Sequence, residues 1–363
     1  MRNIKIKKNL NLMKIFFTAG VFIFAGCAKT NFSPVKNTNT TLTDTSEKIS
    51  DEFTIDDTKP LIPVDIIFVI DNSLSMLEEQ QKLATKLSYF TDSISSVDWQ
   101  IGITTTDVSG GYYSTNGDLV YLVNNGISPG AHPTSRILTK LTPNYEKVFL
   151  DTVTRYGTVL NCENTSIGCA SGNEQPMRAI YMGIEKRISI NTGFFRPGAD
   201  LVTIILSDED EDSPTLSNLI TPEKLTAFIG DVFPAKRYTN YGIIYRPNDQ
   251  NCMSTDVQGG RFGIRIQQLV DDTNGISVSI CDADYSKSLS KIGKRVQRIA
   301  KHLKLSKLPK KDASIEVILK PAQADINWKI VGNDLELSDL PVKGTKIIVK
   351  YTKDKDANNK GKK

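Results

Sequence analysis

The chain has 363 residues, 39% hydrophobic and 24% charged, with a formal net charge of +4. That composition excludes a disordered chain and a multi-spanning membrane protein, and the length suits one full domain plus a smaller module. Much of the positive excess sits at the ends, Arg2 to Lys8 and Lys353 to Lys363, while the interior carries an acidic cluster, which sets nucleic acid aside as a partner.

Taken in chain order, a basic stretch ends at Lys14, an apolar run follows from Ile15 to Phe24, and Ala25 and Gly26 precede Cys27. The run is too short to span a bilayer, which takes about 20 apolar residues, and it reads as a targeting segment. Phe24-Ala25-Gly26-Cys27 resembles the lipobox of bacterial lipoproteins, with Phe where Leu is usual. The resemblance implies cleavage before Cys27, diacylation of its thiol, and anchoring in the bacterial cell envelope; Ala28 points to the outer membrane. Residues 1–26 are then a signal peptide. Residues 27–60, rich in Thr, Asn, Ser, Lys and Asp, hold too little apolar surface to offset ordering entropy and read as a flexible tether.

Val64 to Ile70 is a near-continuous apolar run, the pattern of a strand buried on both faces of a parallel sheet. Met76, Leu83, Leu87, Phe90 and Ile94 follow at helical spacing, then a strand from Gln100 to Thr105. Met177, Ile180, Ile184 and Ile188 mark a second helix, and Leu201 to Leu206 a second buried strand. Tyr238 to Tyr245 and Ile276 to Ile280 are further strands, and Leu289, Ile292, Val296, Ile299 and Leu303 give the last helix. Strands alternating with helices predict an α/β doubly wound, mostly parallel sheet over residues 61–304. Beyond it, short strands at 314–319, 326–331, 335–337 and 345–351 predict a small all-β module over 305–352, with a basic tail at 353–363.

Setting Cys27 apart, Cys162, Cys169, Cys252 and Cys281 favour two disulfides in an exported chain. Three connectivities are open; the local pairing, Cys162 with Cys169 and Cys252 with Cys281, closes the smaller loops and is preferred.

The residues richest in chemistry are Asp71-Asn72-Ser73-Leu74-Ser75, directly after the first buried strand. Two hydroxyls and a carboxylate on one tight loop supply neutral and anionic oxygens to a hard divalent cation, and leave a position for a partner's acidic group. Asp and Ser at this place are also ordinary turn and N-cap residues. Asp-x-Ser-x-Ser in this setting resembles the metal-ion-dependent adhesion site of von Willebrand factor A domains. The resemblance implies that fold, and a divalent cation: Mg²⁺ first, with Ca²⁺ or Mn²⁺ as alternatives.

In that family a further Asp ends a second buried strand, and Asp208 of Ser207-Asp208-Glu209-Asp210-Glu211-Asp212 matches it. Like charges so close raise each other's pKa unless a cation is near, so this run is a metal loop or a solvated, mobile one. The family's Thr before a helix is replaced by Glu174, which would bind a cation more strongly and tilt the choice toward Ca²⁺. The other readings make Glu174 a first-turn residue facing the helix dipole, with Ser171 or Thr165 as ligand. Thr106 and Asp107, ending the strand at Thr105, read as outer supports of the metal or as capping residues. Ile101-Gly102-Ile103-Thr104-Thr105-Thr106-Asp107 and Leu206-Ser207-Asp208-Glu209-Asp210 also look like a sub-family of bacterial envelope lipoproteins with this domain; that resemblance supports a Cys252–Cys281 bridge.

Function follows as non-catalytic binding of a protein or other envelope or extracellular ligand, through its acidic group. Tyr112, Tyr113 and Tyr121 are candidate contacts. Of the two histidines, His132 lies in a Gly-Pro loop and His302 on a Lys-rich helix, read as solvated near its C-terminus; neither accompanies an activated Ser or Cys. Two alternatives stand beside this: a metal-dependent phosphatase-type hydrolase using residues 208–212, for which Thr215 lies too far from Asp208, and a structural envelope protein with a vestigial site.

Overall fold

The computed structural model describes residues 47–55, 62–123, 135–154, 164, 166, 168–212, 218–255, 260–311, 314–338 and 341–353. The targeting segment with Cys27, Cys162, Thr165, Thr215, His132 and the tail beyond 353 lie outside them.

In chain order, β1 (Lys48–Thr54) precedes the α/β part. That part runs β2 (Val64–Ile70), α1 (Leu77–Thr85), α2 (Leu87–Ser93), β3 (Trp99–Thr105), β4 (Leu138–Thr139), α3 (Tyr145–Val153), α4 (Pro176–Glu185) and β5 (Asp200–Ser207). It continues with α5 (Pro222–Val232), β6 (Tyr238–Ile244), α6 (Gln250–Thr255), α7 (Ile264–Asp272), β7 (Ser277–Ser279) and α8 (Ser286–Ile299). The chain then enters β8 (Leu303–Lys304), β9 (Glu316–Lys320), β10 (Trp328–Val331), β11 (Asp334–Leu337) and β12 (Lys346–Thr352).

The main sheet has six strands in the order β4-β3-β2-β5-β6-β7. All neighbours are parallel except the short edge strand β4, antiparallel to β3. Successive residues of β2 feed opposite layers. Ile66, Phe68 and Ile70 join Leu87, Phe90, Phe149 and Leu289 on one face, and Ile67 and Val69 join Met177, Ile180, Ile184 and Leu225 on the other. That two-sided burial is why the strand reads as an unbroken apolar run. Phe68 meets Phe90 and Phe149 edge to face at 5.7 and 5.1 Å.

Helix boundaries differ from the sequence expectation for local reasons. The single helix expected from Met76 to Ile94 breaks at Lys86. The Thr85 hydroxyl donates to the Gln81 carbonyl (2.8 Å) and competes for the backbone there. Ile188, expected on the buried face of α4, lies in a 3-10 turn and is 83% exposed. Leu303 leaves the expected last helix and pairs in β8 with Leu335 of β11.

The β module is two antiparallel three-stranded sheets, β1-β12-β9 and β10-β11-β8, around a core of Leu305, Leu335, Leu337, Ile347, Val349 and Tyr351. It is discontinuous in sequence. Residues 48–54, expected within the flexible tether, pair along their whole length with β12, from Lys48↔Thr352 to Thr54↔Lys346. Only Ile49 and Phe53 of this strand pack on the module core. Main-chain pairing rather than apolar content holds it, which is what composition could not show. The α/β domain is thus inserted between the module's first strand and the rest.

His302, expected as a solvated helix residue, is buried where the α/β domain meets the module. Its ring nitrogens lie 3.5 Å from Asp200 and 3.6 Å from Asp334. A disulfide joins Cys252 of α6 to Cys281 just past β7, with Cα atoms 5.5 Å apart. Cys169 is also disulfide-bonded; its expected partner, Cys162, lies outside the described residues.

Candidate metal centre

In a doubly wound sheet, ligands collect beyond the carboxyl ends of the strands where the strand order reverses. That point here is the end of β2, flanked by β3 and β5. The Asp71 N–H donates to the Leu206 carbonyl (2.9 Å) and the Thr106 N–H to the Ile70 carbonyl (3.1 Å), so three strand ends stand side by side.

Asp71 is fully buried. One carboxyl oxygen accepts the Ser73 N–H (2.9 Å) and the other accepts the Ser207 hydroxyl (2.7 Å). Its carbonyl accepts the side-chain amide of buried Gln80 (2.7 Å), which pins the loop to α1. The Ser73 and Ser75 hydroxyls lie 3.0 Å apart. The Asp208 carboxyl lies beside the Ser75 hydroxyl and the Asp71 carboxyl. The structure therefore brings together Asp71, Ser73, Ser75 and Asp208. Ser207, not singled out from the sequence, orients Asp71; its place at the end of a buried strand, one residue before Asp208, was the available signal.

Glu174 is buried beside this group, two residues before α4. It does not serve the helix dipole. The N-terminus of α4 is capped instead by Glu211, which accepts the Met177 N–H at 2.6 Å and the Arg178 N–H at 3.3 Å. The Glu174 carbonyl accepts the Asp212 N–H (2.8 Å), locking the acidic loop against the approach to α4.

Within the run 208–212 the four carboxylates after Asp208 each have a partner of their own. Asp208 faces the Ser75 hydroxyl, and Glu209 pairs with Arg261. Asp210 accepts the Arg265 and Ile266 N–H groups at the start of α7 (3.0 and 3.1 Å). Glu211 caps α4, and Asp212 pairs with Arg261 at 2.9 Å. Anionic groups at helix N-termini satisfy free N–H donors, and this disposes of charge that one ion could not hold.

Asp107 organises loops rather than facing Asp71. It accepts the Ser109 N–H (2.9 Å) and the Ser171 N–H (3.0 Å), which fixes Ser171 by its backbone. The loop beyond it lies against α4 at Gly117, whose φ of +78° and 2.4 Å clearance to the Gly183 nitrogen admit no side chain. At its rim Tyr112 is 76% exposed and meets Tyr113 edge to face. The Asn72 amide donates to the Tyr113 carbonyl (3.4 Å), joining this rim to the Asp71 loop. Tyr121 lies under the Arg136 guanidinium instead, 3.9 Å from ring centroid to cation.

The electrostatics of the centre are lopsided. Burial, then the neighbouring Asp208 charge, pushes Asp71 up to about 7. Burial, with Asp71 and Glu209 beside it, pushes Glu174 up to about 10. Burial raises Asp208 despite its bond from Ser75. Glu174 Oε2, Asp208 Oδ1 and Thr106 Oγ1 are buried without a hydrogen-bond partner. The nearby cations are engaged elsewhere, Arg261 with Glu209 and Asp212, and Arg265 with Asp210. Buried oxygens of this kind are costly unless something compensates them. Among the described residues no three or more His, Cys, Asp or Glu side chains form a ready cation cage. The convergent donors are mixed, two hydroxyls with carboxyl groups, a hard-oxygen set that fits a divalent cation retaining some water.

No protein-family model matches the sequence, and no curated protein sequence matches it. Solved structures similar to this chain include proximal thread matrix protein 1 from the mussel byssus, at 14% identity and TM-score 0.36, over 70% of this chain and 51% of that one; another of its structures has a zinc-occupied MIDAS motif. The pilus adhesin SpaC from Lactobacillus rhamnosus GG has 11% identity and TM-score 0.36, over 86% of this chain and 42% of its own. The adhesive tip pilin GBS104 from Group B Streptococcus agalactiae has 10% identity and TM-score 0.36, over 88% and 85%. The chain thus spans about half the length of the first of these and less of the second. Likenesses this slight carry no argument about function, which rests on the site itself.

Proposed function

We propose that this chain is a divalent-cation-dependent binding protein with a von Willebrand factor A type domain, non-catalytic, and held in the bacterial envelope, at the outer membrane, by a lipid on Cys27. The observation that carries the reading is the pair of buried carboxyl groups of Asp71 and Asp208, with no cationic side chain paired to them among the described residues and with Asp208 Oδ1 unpartnered, beside the Ser73 and Ser75 hydroxyls at the reversal point of the sheet. A cation there supplies the positive charge that the protein does not. Mg²⁺ is the first choice, with Ca²⁺ and Mn²⁺ as alternatives, and Glu174 joins the ligands through its unpartnered oxygen.

The partner is a protein or other envelope or extracellular ligand that presents an acidic group to the ion. Leu74, 41% exposed on the metal loop, and Tyr112 give it an apolar and aromatic rim. The hydrolase reading is disfavoured by Asp210, whose carboxylate is committed to the N-terminus of α7 and so is not free as a second catalytic acid.

The test is thermal unfolding with each ion. At 100 times its dissociation constant a cation adds about 2.7 kcal/mol to stability, which raises the melting temperature, and Asp71→Ala abolishes the rise. No rise with Mg²⁺, Mn²⁺ or Ca²⁺ overturns metal dependence. Labelling by a fatty-acid analogue that survives Cys27→Ala overturns the anchor.

A further inference from the structure

The sequence between Tyr285 and Lys311 contains ten Lys and Arg and no Asp or Glu, a bias masked by the near-balance of the whole chain. Its first half is α8, packed through Leu289, Ile292, Val296 and Ile299 on the α/β core. On the opposite side Lys287, Lys291, Lys294 and Arg298 recur at the helical spacing of one face, and all four are exposed. None of them makes an ion pair with the described residues. The nearest carboxylate partnership on this flank is Lys86 with Asp284, at 3.7 Å, beyond the end of the helix. Beside the row runs a shallow groove of about 410 Å³ between α2 and α8, lined by Tyr89, Ser286, Lys287, Ser290, Lys291 and Lys294.

We infer that the exposed face of α8 is a docking surface for the anionic phosphate headgroups of a lipid membrane. Four like charges in a row, none of them ion-paired among the described residues, repel one another, and anions meeting the face relieve that repulsion; Asp284 at its margin is taken up by the Ser286 N–H and hydroxyl and by Lys86. Each Lys or Arg held near an anionic membrane surface adds favourably to binding, and the contributions sum along a flat face. Lysine ammonium groups on flexible stems suit a fluid array of headgroups better than a fixed bidentate target. The groove, with cations, two hydroxyls and the half-exposed ring of Tyr89 (47%), can take one headgroup at the polar–apolar boundary that tyrosine favours. Duplex DNA fits less well. A helix that reads DNA enters a major groove about 12 Å wide, whereas α8 is packed along its length and cannot project. Single-stranded nucleic acid would want a row of stacking aromatics, and the groove has Tyr89 alone.

The experiment is vesicle co-sedimentation of the full chain carrying Cys27→Ala, so that a thiol-linked lipid contributes nothing. The readout is the ratio of binding to vesicles with about 30% phosphatidylglycerol over binding to phosphatidylcholine alone, at low and high salt. The basic ends of the chain, Arg2 to Lys14 and Lys353 to Lys363, add to the ratio equally in the parent chain and in every variant, so the comparison between variants decides. The ratio is expected to be at least about tenfold at low salt and to collapse at high salt. The K287Q/K291Q/K294Q/R298Q variant, with an unchanged melting temperature, loses most of it. K224Q/K320Q/K346Q/K350Q, which removes equal charge elsewhere, keeps it. Should the quadruple variant not fold, K291Q against K346Q, each compared with the parent chain, still decides: the first lowers the ratio and the second leaves it unchanged. A ratio near one, an equal loss in both quadruple variants, or tighter binding to duplex DNA or an acidic protein than to the anionic vesicles overturns the inference.

Discussion

The two ends of the central sheet bury aspartates to the same depth and treat them in opposite ways. At the amino end Asp65 of β2 is fully buried, yet it bonds the Arg196 guanidinium (2.7 Å) and backbone N–H (2.8 Å) and lies 3.4 Å from the Lys236 ammonium. Lys236 in turn donates to the Ala199 carbonyl (2.7 Å). Burial still raises the Asp65 carboxyl, but both cations oppose it. At the carboxyl end Asp71 and Asp208 lie together with no such cation, Asp71 bonded by the Ser207 hydroxyl and Asp208 beside that of Ser75, and Glu174 Oε2 and Asp208 Oδ1 have no partner. A chain that supplies its own counter-charge at one end and withholds it at the other has a structural site and a receptive one. The receptive one lies where the strand order reverses.

Breaking the structural end gives the largest effect. Asp65→Ala leaves the largely buried Lys236 side chain without its carboxylate and Arg196 with Asp98 alone, and is expected to cost about 3–5 kcal/mol in chemical denaturation, with or without divalent cations. A loss that cations repair contradicts the division between the two ends.

The second contrast is pH dependence. Without divalent cations the folded protein keeps protons on Asp71 (about 7 against 3.8), Glu211 (about 8 against 4.5) and Glu174 (about 10 against 4.5) that the unfolded chain has released. The folded state binds more protons, so stability is greatest below the unfolded values and falls as pH rises through the folded ones. The expected fall between roughly pH 5 and pH 8 is steep, up to about 1.4 kcal/mol per pH unit for each group that stays protonated in the folded state alone. Saturating Mg²⁺ flattens most of it, because the ion replaces the protons at Asp71 and Glu174, and leaves the part due to Glu211. Denaturation midpoints across that range, with EDTA or Mg²⁺, measure both slopes.

A smaller effect of opposite sign separates the two ends by mutation. Glu174→Gln removes a buried acid that must take up a proton to fold, so it stabilises the cation-free protein at pH 7 by up to about 3 kcal/mol. The same change weakens the stabilisation by Mg²⁺. Destabilisation in EDTA would mean that the Glu174 carboxyl is already compensated.

Much of this was legible in the sequence because backbone burial writes itself into composition. The runs Val64–Ile70 and Leu201–Leu206 appear as strands β2 and β5, and Asp71, Ser73, Ser75 and Asp208 meet where those strands end. What was hidden depends on contacts distant in sequence. Lys48–Thr54 looked like tether because its register with β12 is set by main-chain bonds. His302 looked solvated because Asp200 and Asp334 reach it from other elements. The acidic run looked like a single feature, and only the positions of α4 and α7 show that Glu211 and Asp210 are helix caps. Helix α5 could have been found, since Thr221-Pro222 puts a cap and a proline at its start and the Thr221 hydroxyl accepts the Lys224 N–H (3.3 Å). The basic face of α8 is written in the spacing of Lys287, Lys291, Lys294 and Arg298, and the near-balance of the whole chain's charge masks it.

The most direct test of the central claim is diffraction from crystals of the protein grown with Mn²⁺, read by its anomalous signal. The account predicts one peak in contact with the Ser73 and Ser75 hydroxyls and the Asp71–Asp208 pair, with oxygen distances near 2.0–2.1 Å when Mg²⁺ takes its place and about 2.3–2.6 Å for Ca²⁺. No peak at that position in saturating metal would contradict it.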